Sequence, residues 1–160
     1  MLYPEHYGAD PFFPQESDFK VIHKDNGVGM GVISYKSFNK GDLVAHIAGE
    51  IIYDIRQHSI QIDDDRHLYD THFAGYFLHS CDPNIFLDMQ NLKVYAVRNI
   101  FPNDYLYMDY AQTEQVLYKQ FACACDAIEC RGWITGYKQM PDEYNEDYMN
   151  FLNSKNMAVE

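Results

Sequence analysis

Four cysteines constrain this chain more than any other feature, because three of them cluster and the fourth does not. Cys123, Cys125 and Cys130 lie close together, and Cys81 stands far upstream in the stretch Gly75-Tyr76-Phe77-Leu78-His79-Ser80-Cys81-Asp82-Pro83-Asn84. A Cys-x-Cys pair is poorly spaced to bridge to itself, whereas four thiolates suit the tetrahedral preference of structural zinc. A zinc ion held by Cys81, Cys123, Cys125 and Cys130 leaves no cysteine over and obliges the middle of the chain to meet its later part. The stretch around Cys81 reads as a buried loop. Its tail, Asp82-Pro83-Asn84, is a turn in which proline fixes φ and asparagine can bond back to the backbone.

A chain of 160 residues with 47% hydrophobic and 16% aromatic content can bury a substantial core as one domain. Its 24 acidic residues against 12 Lys plus Arg give a formal charge of -12. Most of such a surface repels a phosphate backbone, which excludes direct nucleic-acid binding and favours a basic protein or peptide as partner. Residues 1–6, Met-Leu-Tyr-Pro-Glu-His, have neither a basic start nor an apolar run, and no stretch is long enough to cross a membrane. The expected setting is intracellular, cytoplasmic or nuclear, where cysteines serve metals rather than disulfides.

Along the chain, Pro4, Pro11 and Pro14 exclude a regular helix over residues 1–18, and Phe12 and Phe13 suggest an arm lying on the domain. Residues 19–23 alternate as a strand. Asn26-Gly27-Val28-Gly29-Met30-Gly31 lets backbone approach a ligand closely, but the β-branched and aromatic residues 32–35 predict a strand where a dinucleotide-binding loop needs a helix. Residues 39–42 form a turn between strands, and residues 43–47 and 50–53 are strand-like runs separated at Gly49. Residues 57–70 are polar, with Asp63-Asp64-Asp65 a solvated turn and no chemistry assigned. Strands follow at 93–97 and 105–108, the latter ending at Asp109-Tyr110. Thr113 can cap a helical turn through Tyr118, and Pro141, Asp142 and Glu143 mark the start of a last helix with Tyr144, Tyr148, Phe151 and Leu152 on one face.

Gly29-Met30-Gly31, Gly49-Glu50-Ile51-Ile52, His79-Ser80-Cys81-Asp82-Pro83-Asn84, Ala96-Val97-Arg98-Asn99-Ile100, Asp109-Tyr110 and the cysteine cluster occur in the order typical of SET-domain protein-lysine methyltransferases. The chain resembles that family over about residues 20–138, and the His-Ser-Cys-x-Pro-Asn loop followed by Asp-Tyr and a post-SET Cys-x-Cys is the specific part. The resemblance implies a mainly β fold of small twisted sheets, with a C-terminal pseudoknot, a post-SET zinc site and a C-terminal helix. On that reading residues 1–18 are an N-terminal arm, 19–112 the SET domain, 113–138 the post-SET zinc segment and 139–160 the C-terminal helix and tail.

The resemblance also implies S-adenosylmethionine in one pocket and a lysine, from a histone-like or other basic protein, entering from the opposite face. Gly29, Met30 and Gly31 match the family's cofactor-binding backbone, and Leu78 and His79 match its methionine- and adenine-binding loop. Trp133 lies where post-SET segments often cover the adenine, and Tyr110 matches the catalytic tyrosine that orients amine and methyl group. The family pattern is broken at Leu78, commonly Asn, at Ile47, often Tyr, and at Met108, often Phe or Tyr; residues 51–78 also form a short insert. Leu78 and Ile47 are the features that fit an alternative, a catalytically silent peptide- or partner-binding module. The short insert fits an enzyme of this fold acting on a small molecule. Something must cover that face: either the arm and last helix fold back on a monomer, or Phe12, Phe13, Tyr144, Tyr148 and Phe151 pack across the two-fold axis of a homodimer.

Overall fold

The computed structural model describes residues 1–24 and 29–159. In chain order the elements are β1 (Phe19–Lys24), β2 (Gly29–Ser34), β3 (Leu43–His46), β4 (Glu50–Ile52), β5 (Ser59–Gln61), β6 (His67–Tyr69), β7 (Leu78–His79), β8 (Ile85–Asp88), β9 (Lys93–Ala96), β10 (Tyr107–Met108), α1 (Tyr110–Thr113), β11 (Phe121–Ala122), β12 (Trp133–Ile134) and α2 (Glu146–Val159). Short 3-10 turns stand at Glu5–Tyr7 and Ala74–Tyr76. The strands make small sheets: β1-β2, β3-β9-β8, β4-β6-β5, β10-β7 and β11-β12. This is the mainly β architecture expected of a SET-domain fold.

β1 and β2 pair antiparallel from Phe19↔Ser34 to Lys24↔Gly29. Residues 25–28, with Gly27 of the glycine run, lie outside the described residues. In the central sheet Ile85 faces Ala96 and Leu87 faces Val94 across β8 and β9, and all four are buried while Phe86 and Lys93 turn outward. That alternation is the two-residue period of a sheet with one dry face. The core they enter is aromatic, with Phe73 in contact with Phe19 and Phe77 at centroid distances of 5.0 Å.

Four local expectations need correction. The polar stretch 57–70 contains β5 and β6, which pair with β4 and bury Ile60 and Leu68; strands of three residues are too short to show alternation. Its acidic turn is as expected, with the Asp63 carboxylate accepting from Asp65 N and Arg66 N at 3.1 and 2.8 Å. Thr113 ends a helix rather than starting one: α1 is capped by Asp109, whose side chain accepts from Ala111 N. The last helix begins at Glu146, not near Pro141, because Asn145 accepts from Asp147 N at 2.9 Å and so satisfies an orphan donor of the first turn. Tyr144 precedes that helix and is 97% exposed.

The N-terminal arm packs on its own chain. Tyr3 and Phe13 are buried, Leu2 N donates to Pro14 O at 2.9 Å, and the Tyr3 hydroxyl donates to the buried Asp70 carboxylate at 2.6 Å. Asp70 also accepts from the backbone N–H groups of His72, Phe73 and Ala74, so one carboxylate anchors the arm and the 3-10 turn beside the site. Gly75 in that turn has no room for a side chain, since a Cβ would lie 1.9 Å from Asp70 O.

Candidate active site and metal centre

Two short strands build the site by pairing side by side. β10 lies parallel to β7, with Tyr107 opposite Leu78 and Met108 opposite His79, and Ser80 N donates to Met108 O at 2.9 Å. Asn84, at the end of the same loop, grips the other side of that segment. Its N–H donates to Tyr107 O at 3.0 Å, its Nδ2 to Tyr105 O at 2.8 Å, and its Oδ1 accepts from Tyr107 N at 2.8 Å. The segment leading to Tyr110 is therefore clasped by the loop 78–84, the pseudoknot geometry, and the buried Asn84 has a partner on both the oxygen and the nitrogen of its side-chain amide.

Directly after β10, three side chains fix the start of α1. Tyr110 N donates to His79 Nδ1 at 3.0 Å, which leaves the ring proton on Nε2, 3.5 Å from Cys81 Sγ. Burial lowers the His79 imidazole to about 4, so the ring is neutral. Asp109 takes a two-pronged contact from Arg131 at 2.7 and 2.8 Å. Burial works to raise the Asp109 carboxyl, but the Arg131 fork outweighs it and holds the carboxyl below the usual range. The Tyr110 hydroxyl donates to Phe77 O at 2.6 Å. Burial, then the charge of Glu114, raises that phenol well above its ordinary value, so it remains a hydroxyl.

The four cysteines converge: the Sγ atoms of Cys81, Cys123, Cys125 and Cys130 all lie within 4.8 Å of one another. A zinc tetrahedron with Zn–S bonds of about 2.3 Å needs sulfurs roughly 3.8 Å apart, so a small contraction closes the set. Burial pushes the Cys123 thiol up. Burial also acts against Cys125, but hydrogen bonds from the backbone N–H groups of Cys81 and Ala127 help bring it down to about 6. Sulfurs this close cannot all ionise without a cation among them, and these residues form a site for zinc. β11 and β12 carry the cluster: Ala122 faces Trp133, and Cys123 N donates to Gly132 O at 2.6 Å. Arg131 N points at Cys81 Sγ, 3.4 Å away.

A cavity of about 580 Å³ opens beside Tyr110. Of the residues singled out in the sequence, Gly29, Met30, Leu78 and Tyr110 line it, together with Met108. Gly31 lies behind the wall, where an added Cβ would sit 2.8 Å from Leu78 Cδ1, so glycine makes room for that leucine. Ile47 is a buried core residue. His79 stands behind Tyr110 and not on the cavity surface. Trp133 is 8% exposed beneath Tyr148 and Phe151 of α2, at 5.0 and 5.8 Å, with its indole N–H on Gln120 Oε1, and it does not line the cavity.

The sequence reading missed Glu114, which lines the same cavity at 8% exposure. Its Oε2 accepts from Gln61 N at 2.8 Å on β5. Burial pushes its carboxyl up to about 7 against the hold of that N–H. No spacing rule marks it; only its position four residues after Tyr110, on the turn Asp109 caps, places it near the site. Arg131 was missed for the same reason, since its partner is distant in sequence.

The SET domain family model matches residues 29–111. Over 139 residues the chain is 29% identical to the histone-lysine N-methyltransferase Set2 of Drosophila melanogaster, covering 68% of this chain and 6% of that protein. It is 26% identical over 164 residues to the histone-lysine N-methyltransferase ASHR3 of Arabidopsis thaliana, covering 87% of this chain and 32% of that protein. Among solved structures, KRYPTONITE in complex with mCHH DNA, H3(1-15) peptide and SAH superposes with a TM-score of 0.56 at 25% identity, over 72% of this chain and 29% of that one. The chain thus spans a third or less of the length of each of these relatives.

Proposed function

Because this chain belongs to the SET domain family, we propose that it is an S-adenosylmethionine-dependent protein-lysine N-methyltransferase acting on a basic protein. The observation that carries this reading is the Tyr110 hydroxyl, protonated and anchored on Phe77 O at 2.6 Å in the wall of a cavity of about 580 Å³. A cavity of that size matches the range in which drug-sized ligands bind. KRYPTONITE, of the same fold, is named with SAH, the demethylated form of the cofactor, and with a histone peptide. S-Adenosylmethionine, when bound, supplies a methyl group on a sulfonium, which a neutral amine can displace in line.

The residues present fit that group at the apolar end of the cavity. Gly29 and Met30 offer backbone, and Leu78, Met108 and Phe121 offer dry surface. Leu78 cannot hydrogen-bond an amino-acid terminus, so this end falls to backbone groups and to Lys119, which lines the same cavity. The Tyr110 hydroxyl orients the reacting groups; with its phenol raised and its proton committed to Phe77 it attacks nothing. A lysine drawn among these walls loses hydration, which favours its neutral form. Zinc on the four cysteines is structural, since all four coordination positions are taken by thiolates. The names of the histone-modifying relatives make a nuclear location the natural one, and no helix among the described residues is long and apolar enough to cross a membrane.

Calorimetric titration with S-adenosylmethionine tests the reading first, followed by mass spectrometry of an H3-tail peptide and mixed core histones after incubation. Saturable uptake and a gain of one or more methyl masses on lysine are expected. A protein that takes up no cofactor is instead the silent peptide-binding module that Leu78 would suit; Ile47, packed in the core, does not bear on the choice.

A further inference from the structure

We propose that Glu114 is the group that takes the proton from the substrate lysine before methyl transfer, an inference that rests on the methyltransferase reading above. Lysine reaches a protein surface as an ammonium, and only the amine carries a lone pair for displacement. The site must therefore accept a proton, and the residues already described cannot. The Tyr110 hydroxyl is protonated and donates to Phe77 O. His79 Nδ1 is taken by Tyr110 N, and its ring stands behind the cavity wall.

Glu114 has the position and the chemistry. It lines the cavity with Tyr110 and Met108, and its own N–H donates to Tyr110 O at 2.9 Å, which places it one helical turn beyond the tyrosine. Gln61 N fixes Oε2 at 2.8 Å, so the carboxyl is aimed rather than free. Among the described residues no cation pairs with it, although it is 8% exposed. A buried carboxyl without a counter-charge is costly to keep ionised, and an entering ammonium relieves that cost. The ionisable groups around it are Tyr110 on its own helix, His58 and Asp64 flanking β5, Tyr76 on the 3-10 turn, and Tyr118 and Lys119 on the following segment. His58 is engaged through Nδ1 with Gly75 O at 3.0 Å, and the rest, apart from Asp64, are phenols or a cation.

In the proposed step one N–H bond of the ammonium breaks and its proton bonds to a Glu114 carboxylate oxygen. The electron pair of that bond stays on nitrogen as the lone pair that a displacement requires. The carboxylic acid then returns its proton to solvent at the cavity mouth. A carboxyl brought up to about 7 is well matched to this task near neutral pH.

The test uses Glu114→Gln, which keeps an oxygen for Gln61 N, and Glu114→Asp. Glu114→Gln should still take up S-adenosylmethionine to saturation, while kcat at saturating cofactor on an H3-tail peptide falls on the order of 100-fold and the acid limb of the pH–rate profile near neutrality disappears. Glu114→Asp should restore part of the rate. Wild-type rate and an unaltered profile in Glu114→Gln would overturn the inference with the methyltransferase reading intact. A second measurement needs no turnover: titration with butylammonium in buffers of different ionisation heat. Cation entry should expel a proton from the wild type at pH 6 and little at pH 8, because about 7 is where the carboxyl titrates. Glu114→Gln should show no such change with pH. Equal proton release by both proteins would sink the role of Glu114 whether or not the chain transfers methyl groups, and failure of cofactor uptake alone would sink only the reaction.

Discussion

At the scale of single residues the site depends on the Tyr110 hydroxyl and its acceptor, Phe77 O, at 2.6 Å. Tyr110→Phe removes the oxygen and nothing else, so β7, β10 and the zinc set stay in place. Leaving Phe77 O without its donor should cost about 1–2 kcal/mol of stability, the ordinary penalty for an unmet buried acceptor. Methyl transfer should fall by at least about 100-fold, because alignment supplies much of the rate of an in-line displacement. Cofactor binding by calorimetry and zinc content should not change. A variant with full activity would remove Tyr110 from the mechanism. Leu78 illustrates the opposite kind of residue: it fills the space a Cβ on Gly31 would need, 2.8 Å from its Cδ1, so the glycine and the leucine are one packing decision.

At the scale of elements, the β11–β12 pair is held to the loop 78–84 by contacts that converge on Cys81 and Asp109. They are the four sulfurs, the Arg131 fork on Asp109 at 2.7 and 2.8 Å, and Arg131 N at 3.4 Å from Cys81 Sγ. His79 extends the path, with Nε2 at 3.5 Å from Cys81 Sγ and Nδ1 on Tyr110 N at 3.0 Å. Metal analysis should therefore give one zinc per chain, and a strong chelator should loosen the post-SET segment and lower activity together. Trp133, the single tryptophan, is buried on β12 and reports the first change as a red shift in emission. Four cysteines that all react with a thiol reagent in the folded protein would rule out the metal site. The strands legible in the sequence were β1, β2, β3, β4, β9 and β10, where apolar, β-branched and aromatic residues run between turn signals; β8, of four residues, was missed because it follows directly on the Asp82-Pro83-Asn84 turn. β5, β6, β7, β11 and β12 have two or three residues and carry no period; they exist through pairing with other strands. The cysteine spacing was legible because metal chemistry specifies ligand type and number. Glu114 and Arg131 were not, because their roles arise only when the fold brings α1 against β5 and β12 beside the loop 78–84.

At the scale of the whole molecule, a buried carboxyl in the cavity should tax the stability of the fold, with a sign that can be checked. Burial brings Glu114 up to about 7 from an ordinary value of 4.5, so the folded chain holds that proton more tightly than the unfolded chain does. The group therefore does the fold no harm below about pH 4.5, and its ionisation costs stability as pH rises through 7. Asp70, raised by burial although Tyr3 and three backbone N–H groups act to lower it, has the same sign. Protonation of the cysteines adds an opposite, zinc-linked loss at low pH. Comparing Glu114→Gln with the wild type at each pH cancels the terms the two share, leaving the carboxyl. The stability difference, from denaturant titrations at fixed zinc, should grow in favour of the variant by on the order of 3 kcal/mol between pH 4.5 and 7, at about 1.4 kcal/mol per pH unit, and then level off. A flat difference would mean that the carboxyl ionises in the folded chain as it does in water. A difference that grows as expected, together with a slower enzyme, would identify Glu114 as a group kept at the expense of the fold for what it does in the cavity.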